Sequence, residues 1–411
     1  MALLVSAKGS DLLAWRATGD FSATYRQVVL GRMEFCRSEE AMAMLAGVSH
    51  ALEDLATAND RFCSHSLDLI QEVAACDELP RLGELTTIFF AGLYDHFDLH
   101  RSATSFYELS LQFLKALAGS VSRCSYANLG HSSPRMPGLA LIALGPAGRQ
   151  EFTPFCPLQL MLVHGLAGDE EKALIQRYAT QLHENFEACG LLVDKVVTPR
   201  NSQWRGSLSE WGQRLAGVAG RADASEIIEM LRLTDQTTLV EAADAASGFR
   251  QNSLSVLAAS PLAVKNLVSR VTSLSNGIRI MGGLRFEKKG PYRGRFALSE
   301  NALQPLSASL SALALLKNIE SMATPSRVRE LLWRRELNVD MAERLLLAWH
   351  ALHELCLIRE REMQPDWTNR APFFLDVERM DVAEQEALRE ALETIGNIQR
   401  HVGINFSGVG E

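Results

Sequence analysis

Residues 139–163, LALIALGPAGRQEFTPFCPLQLMLV, limit the fold more than any other stretch of this chain. Two apolar runs, 139–144 and 158–163, flank a turn carrying Gly145, Pro146 and Gly148. Short apolar runs bounded by glycine and proline read as strands. The segment DEEKALIQRYATQLHENFEACG (169–190) follows. It has Asp169 and Glu170 where a helix N-terminus favours acids, and Gly190 where a helix favours a terminating glycine. A further strand is predicted at 191–197, LLVDKVV. Strand, turn, strand, helix and strand make a small α/β unit.

Helical periodicity surrounds this unit. The first 125 or so residues carry apolar side chains at three- and four-residue steps, up to the proline- and glycine-bearing loop at 130–138. Beyond about residue 200 the pattern is again almost wholly helical. Met341, Leu345, Ala348, Leu352, Leu355 and Ile358 form one stripe, and Leu388, Leu392, Ile395 and Ile398 form another; both are packing seams. The expected fold is α+β and mostly helical. Its parts are a helical N-terminal region (1–128), an α/β core with a small mixed sheet (129–200) and a C-terminal helical bundle (201–411).

A net charge of −8 argues against a general nucleic-acid binder, which needs many cationic contacts to phosphate. No apolar stretch reaches membrane-spanning length, and the N-terminal MALLVSAKGSDLLAW does not read as a signal peptide. The cysteines (36, 63, 76, 124, 156, 189 and 356) are scattered without a CxxC pair. That pattern predicts reduced thiols and a cytoplasmic location.

The segment Gly145-Pro146-Ala147-Gly148-Arg149-Gln150-Glu151 resembles the Gly-Ser-x-x-Arg-x-Glu loop of bacterial nucleotidyltransferases related to the PII-protein uridylyltransferase. Asn201, Trp204-Arg205-Gly206-Ser207-Leu208 and Trp211 match that family's Asn-x-x-Trp-Arg-x-Ser-Leu stretch. The helical region to about 405 is similar to its nucleotidyltransferase substrate-binding C-terminal domain, so the resemblance covers roughly 105–405. It implies a nucleotidyltransferase-like core in which glycines admit a triphosphate and two aspartates at i and i+2 hold Mg²⁺ for nucleotidyl transfer. It also implies nucleotide contacts from Gly145, Gly148 and Arg149.

Against that template, the serine slot holds Pro146, and the two aspartate slots fall on Pro157 and Gln159. Proline offers no side-chain oxygen, and glutamine offers only a neutral carbonyl. Each lost close charge pair is worth roughly 1–4 kcal/mol at intermediate dielectric. The later Asp-x-Arg motif keeps Asp235 but has Thr237 in its arginine slot, and Ser311 stands where an arginine is expected. The expectation is a pseudoenzyme: a degenerate nucleotidyltransferase with no assigned catalytic residue, no metal and no cofactor, in a regulatory or signalling role. Its partners would be a nucleotide and a separate protein such as a sensor domain, and neither nucleic acid nor membrane. Two alternatives stand beside it. One is an active enzyme using Mg²⁺ with Glu151 and Asp194 as substitute acids. The other is a helical interaction scaffold.

Other candidates have two readings each. Arg149 and Glu151 form a structural ion pair, or Arg149 meets a phosphate. Trp204 and Trp211 pack between elements or stack on a ligand. Asp95, His96, Asp98 and His100 are a solvated helix end or metal ligands. His350 and His353 read as helix-flank residues. Arg285, Lys288, Lys289, Arg293 and Arg295 form a solvated basic loop, or an anion-binding lip facing the cleft.

Overall fold

The structure, a computed structural model, describes residues 61–130, 138–165, 168–241, 249–279 and 282–406. The expected helices before residue 61, and most of the 130–138 loop, lie outside these residues. A helical segment at 61–75 leads into α1 (Leu79–His100) and α2 (Ala103–Ala127). Strands β1 (Leu139–Leu144) and β2 (Gln159–His164) form where the two apolar runs predict them. The intervening Gly145–Gly148 is a single helical turn. Helix α3 (Asp169–Ala188) starts on Asp169, and Gly190 takes the positive φ (83°) that terminates it.

The third strand is not at 191–197. That stretch makes one isolated bridge, Val193 to Leu158. The Asp194 carboxylate accepts the backbone N–H groups of Val196 and Val197, both at 2.8 Å. A side chain that captures the following amides bends the chain out of a ladder. The third strand is instead β3 (Arg205–Ser207), drawn from the Trp-Arg-Gly-Ser-Leu stretch. A fourth, β4 (Gln236–Val240), lies in a region expected to be helical. Its β-branched Thr237 and Thr238 suit a pleated, half-buried surface. The sheet runs β3-β2-β1-β4, with β2–β3 parallel and both pairs involving β1 antiparallel. It therefore extends past residue 200.

Helices α4 (Leu208–Arg221), α5 (Ala224–Met230), α6 (Phe249–Ala258) and α7 (Pro261–Thr272) follow. Ser207 caps α4, reciprocally with Glu210. Next come the short strand β5 (Phe296–Ala297), helices α8 (Gln304–Leu316), α9 (Thr324–Trp333) and α10 (Val339–Glu362), strand β6 (Phe374–Leu375) and helix α11 (Val382–Phe406). The fold is α+β and mostly helical.

Every residue of β1 is buried, because helices cover both faces of the sheet. Alternate residues separate the two cores. Leu139, Leu141, Ala143, Leu160 and Leu162 join the larger core, with α1, α2, α3 and the C-terminal helices. Ala140, Ile142, Leu144, Met161 and Val163 join the smaller one, with Trp204, Trp211 and α4 to α7. Both tryptophans are fully buried, as the packing reading expects, and Trp211 Nε1 donates to Leu162 O. The two predicted stripes lie on α10 and α11, with Leu388, Leu392, Ile395 and Ile398 all fully buried. Among the described residues, no helix is long and apolar enough to cross a membrane.

Candidate functional site

The turn after β1 is built by close approach. Gly145 adopts φ 59°, and a Cβ there would come within 2.4 Å of Gln159 Oε1. A Cβ on Gly148 would lie 1.9 Å from the Asp235 carbonyl oxygen, a backbone atom that cannot swing away. Thr237 Oγ1 donates to Gly148 O at 2.8 Å and locks the head of β4 onto the turn. Both glycines are thus required by close contacts within the chain, and Gly145 also lines the cavity described below. Thr237 has a structural task in the slot where the family has arginine.

Asp235 and Glu151 meet over this turn. Arg149 bridges them, with Nε 2.9 Å from Glu151 Oε2 and Nη1 2.8 Å from Asp235 Oδ2. The expected ion pair is present, and it is buried: the three side chains are 13%, 5% and 6% exposed. On the far side of Asp235 stands Arg327 of α9, wholly buried. It donates to Asp235 Oδ1 at 2.5 Å, to Thr234 O at 2.6 Å and to Ser321 O at 2.9 Å. Ser311 donates to the same Asp235 oxygen at 2.7 Å. Glu151 also accepts from Trp349 Nε1 at 2.8 Å and from Thr324 Oγ1. Burial pushes both carboxyls up, yet the guanidiniums and hydroxyls outweigh it and hold both below their ordinary values. Asp235 and Glu151 are thus anions whose charge is answered within the protein.

The second aspartate slot is different. Gln159 Oε1 accepts from Arg232 Nη1 at 2.9 Å, and its Nε2 donates to Asp194 Oδ2 at 3.3 Å. This orientation of the amide is fixed by its partners, since the reverse would set donor against donor. Arg232 sits on the turn Leu231–Thr234, whose Leu231 and Leu233 are buried.

Gly145, Pro146, Arg149, Glu151, Asp235 and Gln159 line one side of a cavity of about 530 Å³. The other side comes largely from the C-terminal helices. Trp349, His353, Cys356 and Glu360 line it from one face of α10, next to the apolar stripe. His353 and His350 are buried residues, not flank residues. Burial drives both down to about 4, and the Tyr107 hydroxyl shares a 2.7 Å hydrogen bond with His353 Nδ1. Burial lifts Glu360 to about 7, against hydrogen bonds from Tyr94 (2.7 Å) and Thr153 (3.1 Å). Burial also pushes the Cys156 thiol up to about 12, so it is not a ready nucleophile.

None of Arg285, Lys288, Lys289, Arg293 and Arg295 lines the cavity. Their loop is pinned elsewhere, by Tyr292 stacked on Phe374 at 4.0 Å and by Arg295 lying 3.9 Å from Asp376. In the 95–100 group, His96 is buried and stacks on Phe62, while Arg361 pairs with Asp95 and Asp98. Among the described residues, no group of three or more His, Cys, Asp or Glu could hold a metal.

Sequence reasoning missed Arg327, Arg232, Trp349 and Glu360. Arg327 and Arg232 carry no motif. For the α10 residues a signal exists: 349, 353, 356 and 360 recur at helical spacing beside the stripe that was read as core.

The sheet and its glycine turn on one side and the C-terminal helices on the other enclose this cavity. Residues 93–225 match the family described as "Putative nucleotidyltransferase DUF294", and residues 261–406 match its companion, "Putative nucleotidyltransferase substrate binding domain". The chain belongs to this family. No curated protein matches it. The residues at the positions where metal ligands were expected do not fit a divalent cation: Pro157 has no side-chain oxygen, and the Gln159 carbonyl is turned to a guanidinium.

Proposed function

We propose that this protein keeps the nucleotidyltransferase fold as a binding module with a regulatory role and does not perform nucleotidyl transfer. The observation that carries this reading is the 2.9 Å contact between Gln159 and Arg232, where a metal-binding carboxylate would stand. The acids on hand as substitutes are otherwise engaged. Glu151 answers Arg149, Trp349 and Thr324, and Asp194 caps the turn at 196–197. Using either as a metal ligand would break several charge-assisted hydrogen bonds at once. The cavity is of small-molecule size and mixed polarity, which favours a ligand-binding module over a plain helical scaffold. A nucleotide is the ligand class the family points to, and a separate protein would receive the signal.

The test is incubation with labelled nucleoside triphosphates and Mg²⁺ or Mn²⁺, following pyrophosphate release and label transfer. The expected result is no release above the protein-free background. Release that disappears in Glu151→Gln or Asp194→Asn would establish the active enzyme with substitute acids instead.

A further inference from the structure

Of the arginines lining the cavity, Arg149 is committed to two carboxylates. Arg232 is not. Among the described residues it forms no ion pair, its one hydrogen bond goes to the neutral Gln159 carbonyl, and its Nε is buried without an acceptor. A half-buried guanidinium lacking an anion is costly, whereas a guanidinium with spare donors suits a phosphate. Its backbone is held by the buried Leu231 and Leu233, so the charge is presented from a fixed base. Arg370 also lines the cavity with no carboxylate ion pair among the described residues. It donates to Phe155 O and lies over the Phe373 ring.

Lining acids do not cancel this pair outright. Asp235 and Glu151 are already balanced by Arg327 and Arg149. Glu229 accepts from the Gln203 amide, Glu300 is exposed, and Glu360, lifted to about 7 by burial, offers the nearby Arg370 only part of a charge near neutral pH.

We infer that Arg232 supplies, from within the chain, the positive charge that a divalent cation would bring, so the cavity captures a phosphorylated ligand without metal. This deepens the binding-module reading and rests on it. It also moves the anion contact from Arg149, where the sequence suggested it, to Arg232. The phosphate could belong to a nucleotide or to a simple polyphosphate.

The experiment is calorimetric titration of the full chain with ATP, UTP and inorganic tripolyphosphate, each in EDTA and in Mg²⁺. Binding in EDTA at least as tight as in Mg²⁺ is expected, with loss of about tenfold or more in Arg232→Gln and partial recovery in Arg232→Lys, the scale of one charge-assisted hydrogen bond. A far-ultraviolet dichroism spectrum of each variant checks that it is folded. Should Arg232→Gln fail to fold, the salt dependence of the wild-type Kd takes its place, since an anion held by fixed charge must bind more weakly as salt rises. Tripolyphosphate binding like ATP assigns the ligand chemistry to phosphate alone, and ATP or UTP binding preferentially adds a base contact. Absence of binding in EDTA, or a Kd unchanged by Arg232→Gln, overturns the inference. Pyrophosphate release in the transfer assay would instead overturn the binding-module reading, so the two failures are distinguishable.

Discussion

Two ends of one cavity treat charge in opposite ways. At the clamp, Asp235 and Glu151 are met by Arg149, Arg327, Ser311, Thr324 and Trp349, all within hydrogen-bonding distance. At the Gln159 end, the Arg232 guanidinium has a neutral amide for its only hydrogen-bond partner among the described residues. The difference separates polar groups that hold the fold from polar groups left available to a ligand. A buried charge that is fully answered is part of the scaffold. One that is half answered is where binding can still gain free energy.

The largest effect should come from breaking the clamp. Asp235→Ala leaves Arg327, which has no exposed side-chain surface, without its anion. Urea unfolding should show a loss of about 3–5 kcal/mol, the scale for removing one partner of a buried pair. A loss below 1 kcal/mol would mean that the clamp is not structural.

Glu360 is an intermediate case, an acid in the same cavity whose hydrogen bonds come from hydroxyls. Its folded carboxyl titrates near 7 against an ordinary 4.5. Between those values the unfolded chain gives up a proton that the folded chain keeps, so this residue's contribution to stability falls as pH rises through the window. Glu360→Gln should remove that fall. The variant should gain on the wild type between pH 5 and pH 8 by at most roughly 3 kcal/mol, at 1.36 kcal/mol per pH unit. His350 and His353, held near 4, act in the other direction, losing stability as pH drops from 6.5. They do so in both proteins and cancel in the difference. Equal stability differences at the two pH values would refute the Glu360 assignment.

The smallest effect belongs to the open end. Gln159→Ala removes two hydrogen bonds from a half-buried amide and should cost less than about 1 kcal/mol in thermal unfolding. A cost as large as that of Asp235→Ala would erase the distinction between the two ends.

The strands at 139–144 and 159–164 and the helix at 169–188 were legible because their apolar spacing and end residues agree. That Pro157 offers no side-chain oxygen was legible too, since it needs no structure to notice. Strand β4 was not: QTTLV is short, and its Thr-rich look conceals a place fixed by pairing with β1. Nor could the sequence show that Arg149 is used up. That depends on Asp235, 86 residues away, arriving on the far side of the turn. The same holds for Arg327, whose 92-residue separation from Asp235 no local pattern records. Local chemistry was readable, while which charges answer each other was set by topology.

Glu151, Asp235 and Arg327 come from three successive parts of the chain: the first family match, the stretch between the matches, and the second match. Transplanting the C-terminal half from a relative would therefore exchange one member of an interlocked set. A chimera joined between residues 241 and 260 would fold well only if its donor brought a basic side chain to the place of Arg327. Exchanging either half alone would leave a buried charge without its partner.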